Sequence, residues 1–322
     1  MWYNQTDMSA TPKVSVITPA YKAARYIGQA IESVQAQTLT DWEMIIVDDA
    51  SPDETAEVVQ RYLDDPRIKL LQNEQNMGAG YTRNRALDAA QGEWIAVLDA
   101  DDWYAPQRLE KLVRFAEEWG VEMAADILIR IKDEGTVLDA RWSSNAPNPK
   151  KPRLYTAAEV IKVHPSFQPV VIRRFLDEKQ VRYQEAIKKS QDYAFQAEIL
   201  IKGARFAVLP EPLYYYRIHS SGITGLHRGN HTYTRMVCEY LCSLPETTPQ
   251  LRKLLWYNQR RGEMKSKYPH LVAALKEARW REAWNLLREE PMLFGYFMKR
   301  LPSTVRRRLF GRHSLAGSLG ED

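Results

Sequence analysis

The sequence contains few cysteines and no long apolar run. Only two of its 322 residues are cysteine, Cys238 and Cys242, one helical turn apart. A disulfide framework is therefore excluded, and we expect a protein of a reducing compartment. No stretch approaches the roughly 18 consecutive apolar residues that cross a bilayer. Residues 1–5 form neither a basic nor an apolar leader segment, so we expect no secretory signal and a cytoplasmic location.

Several motifs of nucleotide and hydrolase chemistry are also missing. There is no Gly-Lys-Ser/Thr phosphate loop, which excludes P-loop chemistry. There is no Gly-x-Ser-x-Gly elbow, and the six histidines lack the spacing of a zinc protease. The stretch from Gly78 to Arg83 resembles a dinucleotide fingerprint, but Arg83 stands where the third glycine is required. A dinucleotide-binding domain is therefore not favoured.

The charge is distributed unevenly along the chain. The formal net charge is +4, and residues 299–322 alone contain six basic and two acidic side chains. The rest of the chain is therefore neutral, which argues against nucleic-acid binding by the main domain. Residues 292–298 form an apolar band rich in aromatic residues, and residues 299–313 combine basic side chains with Val305, Leu309 and Phe310 on one helical side. We expect the segment 292–313 to lie on an anionic membrane surface, as basic amphipathic helices do.

Residues 14–100 alternate between strand-like and helix-like periodicity. Apolar runs at 14–18, 43–47, 68–71 and 94–98 predict buried strands, and helical spacing separates them. A capping box with proline at the first helical position, residues 51–54, predicts the start of the second helix. Strands about 25–30 residues apart with helices between them indicate βαβ units and a parallel sheet with covered faces.

The pattern changes twice further along the chain. It loosens after about residue 120, residues 145–152 have the composition of a surface loop, and residues 154–216 predict short strands with one helix at about 192–202. Beyond residue 232 the sequence is helical and rich in tryptophan. We therefore predict an α/β domain over residues 1–228 and a helical extension with a basic tail over residues 229–322.

Acidic side chains follow two of the predicted strands. Asp48 and Asp49 come after the second strand, and Asp99, Asp101 and Asp102 come after the fourth. The carboxyl ends of parallel strands meet at one edge of a sheet, where ligands bind. Carboxylates brought together there repel one another unless a cation is bound, and hard divalent ions take oxygen ligands. One aspartate-rich loop is common as a turn, whereas two favour a Mg²⁺ or Mn²⁺ site.

Several motifs in fixed order resemble one known family. They are residues 14–21 (VSVITPAY), 47–51 (VDDAS), 76–78 (NMG) with 83–84 (RN), 98–102 (LDADD), 191–195 (QDYAF), 211–213 (EPL) and 216–219 (YRIH). Together, over about residues 13–225, they resemble the inverting family-2 glycosyltransferases of the GT-A fold that build bacterial polysaccharides. The resemblance implies a Rossmann-like, mostly parallel sheet flanked by helices. It does not cover the residues beyond about 232.

The resemblance implies a donor site for a nucleoside-diphosphate sugar, with UDP as the favoured nucleotide. Pro19 and Tyr21 would line the base pocket, with Tyr21 against the uracil ring. Asp49 would accept a hydrogen bond from the base. Arg83 would lie near the nucleotide and Asp99 near the ribose.

The resemblance also implies the residues of the reaction centre. Asp101 would bind the metal that bridges the diphosphate, and Arg217 and His219 would belong to a flap that contacts diphosphate and metal. Asp192 would be the catalytic base that takes the proton of the acceptor hydroxyl. Its position near a predicted helix start is expected to keep it ionised, although local sequence alone leaves a plain helix cap open.

Three further residues are candidates for a sugar or acceptor wall. Trp103 and Tyr104 follow the metal motif directly, and their rings either face a sugar or pack in the core. Gln191 stands where the family usually has glutamate, beside the base. Taken together, the residues and the resemblance predict an inverting, metal-dependent transfer from a UDP-sugar to a saccharide acceptor. The resemblance implies that this acceptor is lipid-linked, and we expect the enzyme at the inner face of the cell membrane.

Two other functional classes are compatible with such a sheet. A sugar nucleotidyltransferase would carry a glycine-rich loop with arginine after the first strand, where this chain has residues 19–24, PAYKAA. A non-catalytic nucleotide- or carbohydrate-binding scaffold is disfavoured because Asp49, Asp101 and Asp192 are all intact. Release of UDP from a UDP-sugar distinguishes the three classes.

Overall fold

The computed structural model describes residues 11–143, 146–163, 165, 167–219 and 232–300. Its strands are β1 (Val14–Ala20), β2 (Trp42–Asp48), β3 (Ile68–Gln72), β4 (Trp94–Val97), β5 (Trp103–Tyr104), β6 (Met123–Lys132), β7 (Val137–Arg141), β8 (Arg153–Tyr155), β9 (Val170–Ile172) and β10 (Phe206–Ile218). Its helices are α1 (Ile27–Gln35), α2 (Thr55–Gln60), α3 (Ala79–Ala89), α4 (Arg108–Trp119), α5 (Ala157–Val163), α6 (Arg173–Glu178), α7 (Gln191–Ile201), α8 (Thr232–Ser243), α9 (Pro249–Lys276), α10 (Trp280–Glu289) and α11 (Pro291–Arg300).

The strands form one mixed sheet whose main path is β3-β2-β1-β4-β9-β6-β10-β5. β3, β2, β1 and β4 are parallel, and so are β6 and β10. β9 is antiparallel to both β4 and β6, so β6 and β10 run in the same direction as β4. The prediction of a mostly parallel α/β sheet flanked by helices is confirmed. The carboxyl ends of β1, β2 and β4 meet at one edge, the place where open α/β sheets bind ligands.

Both faces of the sheet are covered, which explains the continuous apolar runs in its strands. Successive side chains of a strand point to opposite faces. Val16 on β1 packs in a cluster with α1 and α4, whereas its neighbour Ile17 packs in a cluster with α3 and α7. Each face of β1 and β2 is thus buried under helices, and the loops at their carboxyl ends are held on a rigid base.

The second helix begins later than its capping box predicts. α2 starts at Thr55, because the polar side chains ahead of it join two loops instead of extending the helix. Ser51 Oγ accepts a hydrogen bond from the Lys22 amide at 3.0 Å, and Asp53 Oδ2 accepts one from the Ala24 amide at 3.3 Å. The loop after β1 is therefore fastened to the loop after β2, beside the edge that carries the acidic residues.

The region after residue 120 is more regular than its sequence predicts. Gly120 ends α4 in the left-handed conformation, with φ of 56°, and the ten-residue strand β6 follows almost at once. The segment 154–216 contains α5, α6 and α7 rather than a single helix. Short apolar stretches on both faces of the sheet obscure the periodicity here, so sequence reasoning missed β6 and two helices.

The predicted helical extension is confirmed over residues 232–300. α8 and the first part of α9 pack on α5 and α7, with Leu241 and Leu255 in one apolar cluster with Ile161 and Ala197. Tyr240 on α8 also donates a hydrogen bond to Glu198 on α7 at 2.7 Å. The extension is therefore packed directly against the helix that carries Asp192. The two cysteines lie on α8 as free thiols.

The end of the extension forms a small cluster of its own. Leu293 on α11 is buried with Met264 and Leu271 of α9, whereas Met292 and Phe294 are exposed. The apolar band predicted to face a membrane is therefore divided between this cluster and the surface. Residues 301–313 of that segment lie outside the described residues. Among the described helices, none combines the length and the hydropathy needed to traverse a bilayer.

Candidate active site

Two loops with left-handed residues form one side of the candidate site. Lys22 after β1 and Ala50 after β2 have φ of 53° and 54°. Pro19 is half-buried on β1, and Tyr21 is 45% exposed at the rim, with the Lys22 ammonium 5.2 Å from its ring centroid. An exposed ring beside a rigid strand end can stack on a flat ligand group. The structure therefore brings Pro19 and Tyr21 to the edge where the sequence places a base pocket.

Asp49 organises the neighbouring loop. Its Oδ1 accepts hydrogen bonds from the Asn73 side chain at 2.7 Å and the Met77 amide at 2.8 Å, and its Oδ2 accepts one from the Gly78 amide at 2.8 Å. Gly78 has φ of 89°, a conformation that favours glycine, and it leads directly into α3. Asp49 thus fixes the start of the helix that carries Arg83. The sequence did not indicate Asn73 or this use of the carboxylate.

Arg83 joins two aspartates that are far apart in the sequence. Its Nη2 donates a hydrogen bond to Asp99 Oδ1 at 2.7 Å and lies 3.4 Å from Asp192 Oδ1. Its Nη1 lies 3.4 Å from the Oε1 of Gln191, which is buried. Although burial works against the charge, the carboxylates of Asp192 and Asp99 raise the pKa of Arg83. Arg83 is therefore a permanent cation between the end of β4 and the start of α7.

Asp192 is less readily ionised than its helix position suggests. Burial raises the pKa of its carboxyl group, an effect that the Arg83 guanidinium opposes and the Asp99 carboxylate reinforces. Loss of solvent thus outweighs the stabilising effect of the helix start on the charged form, and the expectation that Asp192 is kept ionised stays a prediction. Its Oδ1 is buried while 37% of the side chain is exposed, so the rest of the side chain is open to solvent and to a ligand.

Asp101 and His219 lie side by side. Asp101 Oδ2 is 2.8 Å from His219 Nε2. Burial, reinforced by the Asp99 carboxylate, raises the pKa of Asp101, while the hydrogen bond with His219 opposes the shift. The His219 ring also packs against Tyr26, with 4.9 Å between ring centroids. A carboxylate and an imidazole are thus paired at the end of β10.

Arg217 holds the backbone beside the pair of Asp101 and His219. Its Nε donates to the backbone oxygen of Asp101 at 2.9 Å, and its guanidinium lies 4.6 Å from the Trp103 ring centroid. Further contacts reach Asp133 and Gln29. The guanidinium is thus built into the scaffold around residues 99–102 after β4, which we call the acidic loop. Its predicted contact with a diphosphate stays a prediction.

Asp102 has a structural role that the sequence did not reveal. Its Oδ2 accepts a hydrogen bond from the Tyr214 hydroxyl at 2.7 Å and its Oδ1 one from the Arg217 amide at 2.8 Å. Burial raises the pKa of Asp102 well above its ordinary value, with Asp101 and Asp99 adding to the effect. Asp102 therefore fastens the acidic loop to β10 and is not open to a ligand.

Trp103 and Tyr104, two candidates for the acceptor wall, point to opposite faces of β5. Trp103 is half-buried and its ring stacks on Tyr215 at 5.1 Å, so it remains a candidate surface beside Arg217. Tyr104 is only 2% exposed and donates a hydrogen bond to the Val97 oxygen at 2.6 Å. The prediction of Tyr104 as a wall residue is therefore wrong, since alternate residues of a strand face opposite ways.

A buried ion pair is connected to the acidic loop through Gln168. Arg108 Nε and Nη2 donate to Asp126 at 3.1 and 3.0 Å, and both side chains are fully buried. Arg108 also donates to the backbone oxygen of Gln168, at 2.5 Å, and the Gln168 amide donates to Asp99 Oδ2 at 3.0 Å. Both oxygens of Asp99 are thus engaged, one by Arg83 and one by Gln168. Nothing in the sequence pattern marks Arg108, Asp126 or Gln168 as part of the site.

The sequence matches a known protein family and several curated relatives. The family model "Glycosyl transferase family 2" matches residues 15–179, which include the loops after β1, β2 and β4. The chain belongs to glycosyl transferase family 2. A curated relative, the succinoglycan biosynthesis protein ExoO of Rhizobium meliloti, is 35% identical over 237 residues, 71% of this chain and 67% of the relative. The family supports glycosyltransferase activity.

Solved structures show the same fold. The S. aureus TarS fragment 1–349 in complex with UDP-GlcNAc aligns with a TM-score of 0.66 at 22% identity, covering 91% of this chain and 82% of the fragment. A mannosyltransferase from Pyrobaculum calidifontis in complex with GDP-Man and Mn²⁺ aligns with a TM-score of 0.56 at 17% identity, covering 95% of this chain and 89% of that one. The GT-A architecture expected from the sequence is confirmed.

The residues of this glycosyltransferase fit a divalent metal held largely by its substrate. Within the described ranges, no three His, Cys, Asp or Glu side chains are grouped to enclose a metal ion. Mg²⁺ is usually held by only one or two carboxylates together with substrate phosphates. Asp101 and His219 offer an oxygen and a nitrogen 2.8 Å apart. Burial and, after it, the Asp99 carboxylate raise the pKa of Asp101, and a cation would offset both effects. One carboxylate oxygen and one imidazole nitrogen side by side are a donor set that suits such an ion.

Proposed function

We propose that this chain transfers a sugar, with inversion, from a UDP-sugar to a saccharide acceptor. The observation that carries the proposal is the placement of Arg83 between Asp99 and Asp192. Arg83 joins Asp99 at the end of β4, where donor-binding residues are expected, to the partly exposed carboxyl group of Asp192. Inversion in one displacement requires a base at the acceptor hydroxyl, and Asp192 would take that role.

The donor would lie along the edge formed by β1, β2 and β4. Pro19 and Tyr21 would line the base pocket, Asp49 would accept a hydrogen bond from the base, and Asp99 would lie near the ribose. The UDP-GlcNAc complex of TarS, which has the same fold, supports UDP as the nucleotide. This donor placement would leave Asp192 on the side from which an acceptor approaches.

Asp101 and His219 would hold a Mn²⁺ or Mg²⁺ ion, with Arg217 on the diphosphate. When bound, such an ion supplies Lewis-acid stabilisation of the departing diphosphate charge. Arg217 keeps the Asp101 loop in place through its hydrogen bond to the Asp101 backbone. The Mn²⁺ complex of the Pyrobaculum mannosyltransferase supports this assignment.

The acceptor would be a growing surface saccharide carried on a lipid. The relative ExoO, a succinoglycan biosynthesis protein, supports a role in polysaccharide assembly. Trp103 and Gln191 would contact the sugar or the acceptor. Residues 1–228 would form the catalytic domain and residues 229–322 the extension, which brings the enzyme to the inner face of the cell membrane.

The decisive experiment measures UDP release from a panel of UDP-sugars, with and without Mn²⁺. We expect slow hydrolysis of one donor and faster release with a saccharide acceptor. Exchange of pyrophosphate into the nucleotide sugar would instead identify a nucleotidyltransferase. Donor binding without any turnover would identify a scaffold.

Replacing Gln168 by Met should weaken donor binding more than it slows the chemistry. The substitution removes the hydrogen bond from Gln168 to Asp99 while keeping an apolar chain of similar length. A hydrogen bond to a charged group contributes about 1.5–3 kcal/mol, so KM for the UDP-sugar should rise by roughly tenfold or more. Steady-state kinetics separate this effect on KM from any effect on kcat.

Gln37→Met is the matched control. Gln37 is buried and makes hydrogen bonds to Ser33, Ala105 and Leu109, none of them in the acidic loop. Its replacement should lower the melting temperature without changing KM. An equal change of KM in both variants would show that Gln168 acts only through stability.

Removal of all residues after Met298 should abolish binding to anionic vesicles. The deleted segment contains the six basic residues, each of which contributes about 1 kcal/mol near such a surface. Full-length protein should sediment with vesicles that contain phosphatidylglycerol and be released by high salt. Equal sedimentation of the full-length and truncated proteins, or binding that does not depend on salt and lipid charge, would contradict the electrostatic anchor.

A further inference from the structure

A cavity lies against residues 146–153, between β7 and β8, and none of its lining residues belongs to the acidic loop. Its volume is about 560 Å³, and residues 146–153 and α5 form its walls. Four basic side chains line it, Lys150, Lys151, Arg153 and Lys162, with Glu159 as the one acidic residue among its lining. We call this cavity the basic pocket. A volume of this size is ordinary for a site that holds a small ligand.

The carboxylate in the basic pocket is already engaged. Glu159 Oε2 accepts hydrogen bonds from the Thr156 amide at 2.9 Å and the Thr156 hydroxyl at 3.0 Å, and Oε1 pairs with Arg153. Thr156 Oγ1 in turn accepts from the Glu159 amide, so the two residues form a capping box at the start of α5. Glu159 and Arg153 therefore neutralise each other.

The three lysines of the pocket remain uncompensated. Within the described part of the chain, the ammonium groups of Lys150, Lys151 and Lys162 form no ion pair or hydrogen bond with other residues. Three like charges around one cavity repel one another. An anion placed among them would relieve this repulsion, which gives the pocket a charge preference.

The pocket is formed in advance of any ligand. Asn148 Oδ1 accepts a hydrogen bond from the Trp142 amide at 3.0 Å, and its Nδ2 donates to the Ala140 oxygen at 2.8 Å. Trp142 Nε1 donates to the Pro147 oxygen at 3.0 Å. Prolines 147, 149 and 152 further restrict the segment. A loop fixed in this way loses little conformational freedom when a ligand binds.

The pocket is connected to the active site by a short stretch of chain. Val163 in its wall is five residues from Gln168, so their Cα atoms are at most roughly 18 Å apart. Gln168 contacts Asp99, and the backbone oxygen of its neighbour Phe167 accepts a hydrogen bond from Gln196 on α7 at 2.8 Å. A chain-like substrate bound at Asp192 could therefore extend to the basic pocket.

We propose that the basic pocket binds an acidic group of the acceptor saccharide, some units away from the hydroxyl that reacts. This inference rests on the proposed glycosyltransferase function and specifies its acceptor class as an anionic saccharide. A concave site with cations around its rim suits a flexible charged chain, whereas a bilayer surface is flat. Lysine ammonium groups act as point charges, so the binding should weaken as salt increases.

The test compares two saccharides of equal length, a short oligogalacturonate and its carboxyl-reduced, neutral counterpart. Binding to the full chain is measured by fluorescence polarisation with UDP and Mn²⁺ present in excess, so that the donor site is filled. The test variant carries Lys150→Gln, Lys151→Gln and Lys162→Gln. The control carries Lys253→Gln, Lys265→Gln and Lys276→Gln, which change the net charge equally at exposed positions of α9.

We expect the full chain to bind the charged saccharide in preference to the neutral one. An exposed charge pair contributes up to about 1 kcal/mol, so loss of three should weaken binding by about tenfold or more. The control variant should bind within about twofold of the full chain by the same reasoning. Equal binding of the two saccharides, or an equal loss in the control variant, would overturn the proposal.

Two further measurements keep the inference separate from the proposed function and from the membrane. UDP release without an acceptor should be the same in the test variant and the full chain, because the lysines lie outside the donor site. If the full chain releases no UDP from any donor, the proposed function fails, whether or not the protein binds the saccharide. If the test variant loses binding to phosphatidylglycerol vesicles and keeps binding to oligogalacturonate, the pocket is a membrane contact and the proposal is wrong.

Discussion

Asp101→Asn is expected to lower turnover by at least about 10³-fold while leaving the fold intact. The substitution keeps the shape of the side chain but removes the negative charge that faces His219. Stabilising the charge of a leaving diphosphate is worth several kcal/mol, and each 1.4 kcal/mol corresponds to about tenfold in rate. The measurement is UDP release at saturating donor, titrated with Mn²⁺, which should no longer stimulate the variant.

Asp133→Asn is the control for this variant. Asp133 also lies beside Arg217, with 3.4 Å between Asp133 Oδ1 and Nη1 of Arg217, but it is outside the acidic loop. Its loss should change turnover far less, since a partly exposed ion pair contributes at most about 1 kcal/mol. Near wild-type, Mn²⁺-stimulated turnover by Asp101→Asn would refute the metal assignment.

The edge of the sheet that carries the site was predictable from the sequence. Fully buried strands give continuous apolar runs, and each of the relevant runs stops at a polar residue such as Asp48 or Asp99. Once the strands are parallel, their carboxyl ends must meet. The adjacency of Asp49, Asp99 and Asp101 thus follows from topology. The proximity of Asp101 and His219 was implied only by the family resemblance; in the structure it arises because β10 runs parallel to β6 and ends at the same edge.

The residues behind this edge were not predictable. Gln168 is a single polar residue in an irregular segment, and Asn73 is one of five polar residues in the run 72–76, so no periodicity distinguishes either from surface positions. Their roles depend on contacts between distant parts of the chain, such as the hydrogen bond from Gln168 to Asp99. Tyr104 illustrates the opposite error. A two-residue strand places Trp103 and Tyr104 on opposite faces, so two adjacent aromatic residues cannot both line one wall.

The start of α2 was misplaced for a related reason. The capping-box pattern of residues 51–54 is real, but Ser51 bonds across to the loop after β1, and Asp53 divides its carboxylate between that loop and Thr55 at the start of the helix. Local pattern and long-range contact compete for the same polar groups. At a functional edge the long-range contact prevails, because it fixes the loops that surround the ligand.

Asp192→Asn is expected to lower the chemical rate by roughly 10²–10⁴-fold, the usual contribution of a positioned base. Asp192 Oδ1 is held near Arg83 while the rest of the side chain faces the cleft, so the asparagine should fit with little rearrangement. KM for the donor should change little. Single-turnover rates with saturating donor and acceptor separate the chemical step from binding and product release.

The alternative, a plain cap of α7, gives a different result. Loss of a cap destabilises a protein by about 0.5–2 kcal/mol, which lowers the melting temperature without a large change in the chemical rate. In the structure the residue before the helix, Ser190, forms no side-chain cap hydrogen bond, and Asp192 lies within the first turn. A collapse of donor binding with intact single-turnover chemistry would assign Asp192 a structural role.

The pH dependence gives an independent check on the base. Burial raises the pKa of Asp192, and only the ionised form accepts a proton. The rate should therefore fall as the pH decreases through this raised pKa, above the range of an ordinary aspartate. Arg83→Gln removes the cation that opposes the shift, so it should move this acidic limb to higher pH, whereas Arg83→Lys should move it less. In Asp192→Asn the limb should disappear from the residual rate, and its persistence would mean that another group is the base.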